Sequence, residues 1–389
     1  MARKPKRFMP QSASELTADW FTGALDVSTE AAVRSVEVEM IGSGIGFIGD
    51  VFRCKLSWDT VDADLPASVV VKVPSSLRSN RLFGEGVRAY ERELDVYRSL
   101  SGQLGVTMPV HLHSDMDPNP APWLNEVIRW LLDNLPLRGV NWLVDRLLSL
   151  PDQVLRRFLL VIEDIHDARP ANQLESGTVE DALGALECLA GLHAQNWMNS
   201  RLVAEHPLVW PANRTPRVFQ ASYKRHRDDF FARFADVVDP GAAAHLDTIQ
   251  DRVPELSDHM VTPPWTLLHG DYRLDNVLFR ETGDIVIIDY QLVLWGRAGY
   301  DVAYFITTAL DPEHKGAEDE LLDAYLSALV DHGISDYSSS ELRRDVKITK
   351  ELLAHRFVGT GTLLDTEIEG SDHTLIDVMA HRTIGWALD

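Results

Sequence analysis

The sequence is short of cysteine, of positive charge and of long apolar runs, and each shortage removes a class of protein. Only two cysteines, Cys54 and Cys188, occur in 389 residues. A chain of this length can bury a core without staples, so a disulfide scaffold is excluded and a reduced, cytoplasmic protein is expected. Neither cysteine has the spacing of a metal site. Acidic residues number 59 against 37 basic ones, for a formal net charge of -22, which argues against a nucleic-acid binder that relies on a broad cationic field. No stretch reaches roughly 18 uninterrupted apolar residues, so no spanning helix is expected. The basic residues Arg3, Lys4, Lys6 and Arg7 have no apolar run behind them and read as a disordered tail rather than a signal peptide. A G-x-x-x-x-G-K-[ST] sequence is missing, which disfavours a P-loop enzyme. There is no internal repeat.

What is present divides into a β-rich first part and a helical second part. Ser14 to Leu25 places Leu16, Trp20, Phe21 and Leu25 at helical spacing. Val36–Ile41, Val51–Trp58 and Ser68–Val73 are β-branched and aromatic, with turn-forming residues between them, as in an antiparallel meander. Leu82 to Leu100 predicts a helix, and Phe158–Ile162 a buried strand. From Val179 onward the period is mainly helical, broken by one β-rich stretch, Leu267–Leu292. The expected fold is α+β and bilobal, with a small antiparallel β-rich N-lobe and a larger, mainly helical C-lobe. The expected divisions are 1–34 (tail and helix), 35–165 (N-lobe, with a helical insertion at about 119–157) and 166–389 (C-lobe).

The chemistry concentrates between His269 and Asp289. His269-Gly270-Asp271-Tyr272-Arg273-Leu274-Asp275-Asn276 is a polar loop between apolar strand-like ends, and the strand Ile285–Ile288 delivers Asp289 at its exit. Phosphoryl transfer needs a carboxylate to accept the hydroxyl proton and oxygen ligands to hold magnesium against the ATP phosphates. Asp271 fits the first role, and Asn276 with Asp289 the second. Arg273 would neutralise charge on the transferring phosphate. The competing reading is an Asp/Asn-rich turn that only caps local backbone.

These motifs, with Ile288-Asp289-Tyr290-Gln291 and Asp301-Val302-Ala303-Tyr304, resemble the aminoglycoside phosphotransferase and choline kinase superfamily. The resemblance is greatest to its ecdysteroid-kinase-like and related bacterial branch. It covers most of the chain and implies a protein-kinase-like fold, use of ATP and Mg2+, and a structural role for Asp301 in bracing the catalytic loop. Two departures from protein kinases point to a small-molecule acceptor. Gly270 stands where an Arg would receive an activation-loop phosphate. Only residues 290–300 separate Asp289 from Asp301, too few for a peptide-docking segment.

On the nucleotide side, Ile41 to Asp50 is a glycine-rich turn between strands, with Gly42, Gly44, Gly46 and Gly49 able to bring backbone amides to phosphates. A strand rather than a helix follows it, which disfavours a dinucleotide fold. Lys72, inside Val69–Val73, is a cation in a buried strand and needs an anionic partner. The resemblance supplies Glu93, with Glu91 as the alternative. It also likens Glu163-Asp164-Ile165 to the adenine hinge, so Glu163 and Ile165 are the candidates there.

Three weaker signals remain. The Trp-rich stretch 119–157 reads either as a lid over an apolar acceptor, a membrane-touching surface, or an extra hairpin packed on its own lobe. Asp365, Glu367, Glu369 and Asp372 suit either ammonium binding or a solvated loop. His193 reads as structural. The function expected is therefore transfer of the ATP γ-phosphate to a hydroxyl of a small molecule: sterol-like, amino-alcohol or antibiotic. The rivals are a silent nucleotide-binding regulator and a peptide kinase.

Overall fold

The computed structural model describes residues 8–27, 31–41, 48–62, 64–152, 155–360 and 374–387. Gly42, Gly44 and Gly46, and the acidic residues Asp365, Glu367, Glu369 and Asp372, lie outside these. The chain divides into two compact units, the first made of Met1–Tyr90, Pro109–Pro120 and Pro151–His166.

That unit is built on a five-stranded antiparallel sheet. Its strands are β1 (Val33–Ile41), β2 (Gly49–Trp58), β3 (Ser68–Pro74), β4 (His111–Met116) and β5 (Phe158–Glu163), in the order β1-β2-β3-β5-β4. Alternation on β3 sends Val69, Val71 and Val73 into one core with Phe52, Cys54, Leu159 and Val161. Helix α1 (Ala18–Ala24) covers that face with Phe21, which is fully buried. Thr17 Oγ1 caps the helix by accepting from the Trp20 amide. Burying each such side chain is worth about 1.5–3 kcal/mol. The edge strand β4 has no sequence counterpart above, because its half-buried polar residues carry no alternation.

The helix predicted over Leu82 to Leu100 is two helices, α2 (Arg78–Gly86) and α3 (Ala89–Asp95), with one wider π-helical turn continuing to Leu100. The break falls at Arg88, whose φ is 54°. Gly84 and Gly86 weaken the preceding turn. A Cβ on Gly84 would come within 2.5 Å of the Ile48 side chain, so close packing forbids a better helix former there.

The second unit holds Glu91–Met108, Ala121–Leu150 and Asp167–Asp389. In chain order its further elements are α4 (Pro122–Asn134), α5 (Leu137–Leu148), β6 (Ala168–Pro170), α6 (Val179–Gln195), α7 (Ser200–Glu205), β7 (Trp210–Pro211), α8 (Pro216–Arg233), α9 (Pro240–Gln250) and α10 (Val253–His259). Then come β8 (Thr266–Leu268), β9 (Val277–Arg280), β10 (Ile285–Ile287), β11 (Leu294–Gly296), α11 (Gly299–Ala309), α12 (Glu318–Asp331), α13 (Ser339–Thr360) and α14 (Leu375–Ala387).

Helix α11 is almost wholly buried and packs on α6, α13 and α14. The hairpin α4–α5 interrupts the first unit's strands in sequence, yet it packs on α8 of the helical unit. Asn141 donates to the Ala221 carbonyl and Arg217 to that of Leu135. Its outer face leaves Trp123, Trp130 and Trp142 exposed. Two small sheets, β10-β9-β6 and β7-β11-β8, complete the unit. Among the described residues no helix is long and apolar enough to cross a membrane.

Candidate active site

The candidate catalytic segment, residues 269–276, is pinned at both ends by apolar strands. Leu267 and Leu268 of β8 and Val277 of β9 are fully buried. The loop between them closes where the Ile288 amide donates to the Asn276 carbonyl, at 3.0 Å. Antiparallel pairing of β9 with β10 then brings Asp289 back to the loop.

Asp301, in the first turn of α11, holds the loop's backbone. Its two carboxylate oxygens accept from the His269 amide at 2.6 Å and the Gly270 amide at 3.0 Å. It is fully buried and also receives His193 Nε2 at 3.3 Å, while His193 Nδ1 meets the Tyr325 hydroxyl at 2.7 Å. Burial keeps the Tyr325 hydroxyl protonated, so it can donate to His193, while the Asp301 carboxylate can only accept from the ring. His193 is thus structural, and the bracing role that the resemblance gave Asp301 is what its bonds perform. His269 Nε2 donates to the Ile288 carbonyl at 3.0 Å, which leaves Nδ1 to accept from the Asp271 amide at 3.4 Å.

Gly270 has φ +81°, and a Cβ there would sit 2.1 Å from the Leu292 carbonyl oxygen. No side chain fits at this position. The absence of the protein-kinase Arg is therefore built into the backbone path.

Three donors converge on the Asp271 carboxylate. Tyr304 OH reaches Oδ1 at 2.7 Å; Arg273 Nε and Asn276 Nδ2 reach Oδ2 at 3.4 and 3.3 Å. Asn276 Nδ2 also donates to the Asp271 carbonyl at 2.8 Å, which fixes the amide so that its oxygen is left without a hydrogen bond among the described residues. Arg273 is buried and donates to Asp275 Oδ2 at 2.5 Å. Burial works against its charge, but Asp271, Asp275, Tyr304 and Asp289 together hold the guanidinium above its usual range. Burial likewise pushes the Tyr304 hydroxyl up, as does the neighbouring Asp271 charge, so it remains a donor. Asp289 is partly exposed, with φ 68°, an uncommon backbone region for a residue other than glycine, and accepts from Gln291 Nε2 at 3.1 Å.

Asp271, Arg273 and Asn276 are thus brought into contact, with Asp289 near enough to act on Arg273. Two oxygen donors, an amide and a carboxylate, match a hard divalent cation that keeps waters and phosphate oxygens as its remaining ligands. Among the described residues no group of three or more His, Cys, Asp or Glu is arranged to hold a metal.

Sequence reasoning gave no role to Tyr304, although its place one turn after Asp301 on the same face was readable. It missed Gln173 altogether. That buried side chain accepts from the Leu274 amide at 2.9 Å and donates to the Thr308 carbonyl, while its amide donates to Asp275 Oδ1 at 3.0 Å. No local pattern marks it.

On the other unit, Lys72 is buried in β3 on the face opposite Val71. Glu93 is buried in α3, which falls mostly in the helical unit. Gly49 opens β2, where a Cβ would lie 2.9 Å from the Val73 carbonyl oxygen. The Glu163 amide is committed to the Val110 carbonyl at 2.9 Å. Beyond the end of β5, the Ile165 amide has no partner among the described residues.

The fold, a five-stranded antiparallel sheet followed by a mainly helical region, is the one shared by aminoglycoside phosphotransferases and choline kinases. Residues 152–334, the stretch that carries the loop, match the ecdysteroid kinase-like family. Over 90% of its length the chain is similar to a choline kinase from Cryptosporidium parvum Iowa II, covering 88% of that protein at 14% identity and a TM-score of 0.50. Plasmodium vivax ethanolamine kinase matches over 92% of this chain and 83% of its own at 12% identity, TM-score 0.52. A spectinomycin phosphotransferase, solved with ADP and spectinomycin, matches over 97% and 100% at 10% identity, TM-score 0.51. At such identities the likeness establishes the fold. Among curated proteins no significant match is found.

Proposed function

We propose that the chain transfers the γ-phosphate of ATP to a hydroxyl of a small molecule, with Asp271 as the base. The observation that supports this best is the orientation of the Asp271 carboxylate by Tyr304, Arg273 and Asn276, on a loop whose backbone Asp301 holds from behind. Such a carboxylate can align an acceptor hydroxyl and take its proton. Asn276 and Asp289 would hold Mg2+, which supplies charge neutralisation at the phosphates. Arg273, kept charged beside Asp271, positions that carboxylate and adds a positive field. Lys72, Glu93 and the amides of Gly42, Gly44, Gly46 and Gly49 are assigned to the phosphate side of the nucleotide, and the Glu163 and Ile165 backbone to adenine. Catalysis then rests on positioning and electrostatics rather than a covalent intermediate.

A small acceptor is favoured over a peptide because β11 lies within a sheet, paired to β7 and β8, where a protein kinase has its docking segment. A silent regulator is disfavoured because Lys72, Asp271, Asn276 and Asp289 are all retained. The test is ATP turnover with a panel of alcohols, comparing wild type with Asp271→Asn. Loss of a general base costs roughly 10²–10⁴-fold, so the variant should lose at least a hundredfold while still binding ATP. Equal turnover by both proteins would refute the assignment.

A further inference from the structure

The site continues along one face of α11. Tyr300 and Tyr304 are one helical turn apart, with ring centroids 6.3 Å apart and planes 22° from parallel, so their hydroxyls lie toward the same edge of the helix. Tyr304 OH donates to Asp271. The other hydroxyl, that of Tyr300, accepts from Arg356 Nη1 at 2.9 Å. Arg356 comes from α13, and its guanidinium also lies 4.5 Å from the ring centre of Phe219 on α8 and 5.6 Å from that of Tyr300. The catalytic carboxylate and this cation therefore flank a pair of parallel tyrosines.

The partners of Arg356 are unusual for this chain. With 59 acidic residues against 37 basic, carboxylates are plentiful, and Arg273, Arg297 and Arg382 each have one. Arg356 is half-buried, yet among the described residues it makes no ion pair and only one of its five N–H groups has an acceptor. A partly desolvated guanidinium with open donors is poised for an anion, which it can bind through two parallel hydrogen bonds.

We propose that Arg356 anchors an anionic group of the acceptor. The inference rests on the phosphotransfer reading above and narrows it. The substrate is an alcohol that also carries a carboxylate, sulfate or phosphate ester, separated from the reacting hydroxyl by about the span of the tyrosine pair. Phe219 and Tyr300 supply flat apolar contact beside that group. Amino alcohols and aminoglycosides, which would bring a second cation to Arg356, are disfavoured.

Three probes that share a benzylic alcohol test this: 4-(hydroxymethyl)benzoate, its amide, and 4-(hydroxymethyl)benzylamine. Binding of each is measured by calorimetry on the full chain, for wild type, Arg356→Gln and Arg356→Lys, with the Kd for ATP and the thermal midpoint recorded for each protein. The expected result is benzoate binding at least tenfold tighter than benzylamine in wild type, with the preference abolished in Arg356→Gln and partly retained in Arg356→Lys. No binding by any probe, equal binding by all three, or a preference for the amine overturns the proposal. So does a large loss of ATP affinity in Arg356→Gln, which would assign the guanidinium to the nucleotide. Should Arg356→Gln fail to fold, the ranking in wild type and Arg356→Lys still decides. If benzoate binds through Arg356 but no alcohol ever receives phosphate, the kinase reading fails and the anion site is supported.

Discussion

Tyr304 is the residue whose role the structure changes most. Its hydroxyl is a protonated donor 2.7 Å from Asp271 Oδ1, so it fixes the rotamer of the carboxylate that, on the proposed function, meets the acceptor. In Tyr304→Phe the ring still packs but this bond is gone. Removing a hydrogen bond to a charged group costs about 1.5–3 kcal/mol, so kcat should drop about tenfold or more with KM for ATP unchanged. A rise in KM with constant kcat would show that Tyr304 only binds. That Asp271 and Asn276 share one polar loop was legible from the sequence, because both lie in a short run between apolar strands. Gln173 was not, because its partners, Leu274 and Asp275, lie about a hundred residues away, and a lone Gln in a loop carries no period or motif. Arg382 is the same case. It donates to the carbonyls of Gln173 and Thr308 from the far end of the chain.

Among the elements, α11 contributes most to the candidate site, with Asp301 and Tyr304 bonded to the loop and Tyr300 beside them. Its start is fitted against α13 with no slack. A Cβ on Gly299 would lie 2.5 Å from the Asp345 Cβ and 3.1 Å from the Val346 amide nitrogen. Gly299→Ala must therefore push the two helices apart or bend α11. The overpacking should destabilise by about 1–3 kcal/mol, read as a lower thermal midpoint, with lost turnover because Asp301 and Tyr304 shift together. An unchanged midpoint would mean that the contact yields freely. β1 and β2, which mix apolar and polar residues, and β3 and β5, which are continuous apolar runs, were readable within a few residues. The α2–α3 break was not, because Arg88 takes a backbone conformation that nothing in its side chain demands. The Trp-rich hairpin was recognisable as two helices, while the helix it packs on, α8, was a matter of tertiary contact.

For the molecule as a whole, acid is the informative stress. His355 is fully buried, stacked 4.3 Å from the Tyr223 ring with Nε2 2.6 Å from Gln250 Oε1. Burial, and then the Arg356 charge, lower its pKa to about 3. Between that value and the unfolded value near 6.5, the unfolded chain binds a proton that the folded chain refuses, so stability rises with pH across this window. Its contribution is complete above about pH 6.5 and is lost as the pH falls toward 3. By pH 5 the loss is about 2 kcal/mol. Denaturant midpoints measured from pH 7 to pH 5 should decline, and should decline less in His355→Gln. An identical slope in the variant would show that other groups set the acid limit.

The strand β11 has one more consequence. A segment hydrogen-bonded on both edges, to β7 and β8, is held in place by main-chain bonds and needs no covalent mark to order it. On the function proposed here, the catalytic loop would then stand assembled without an activation step.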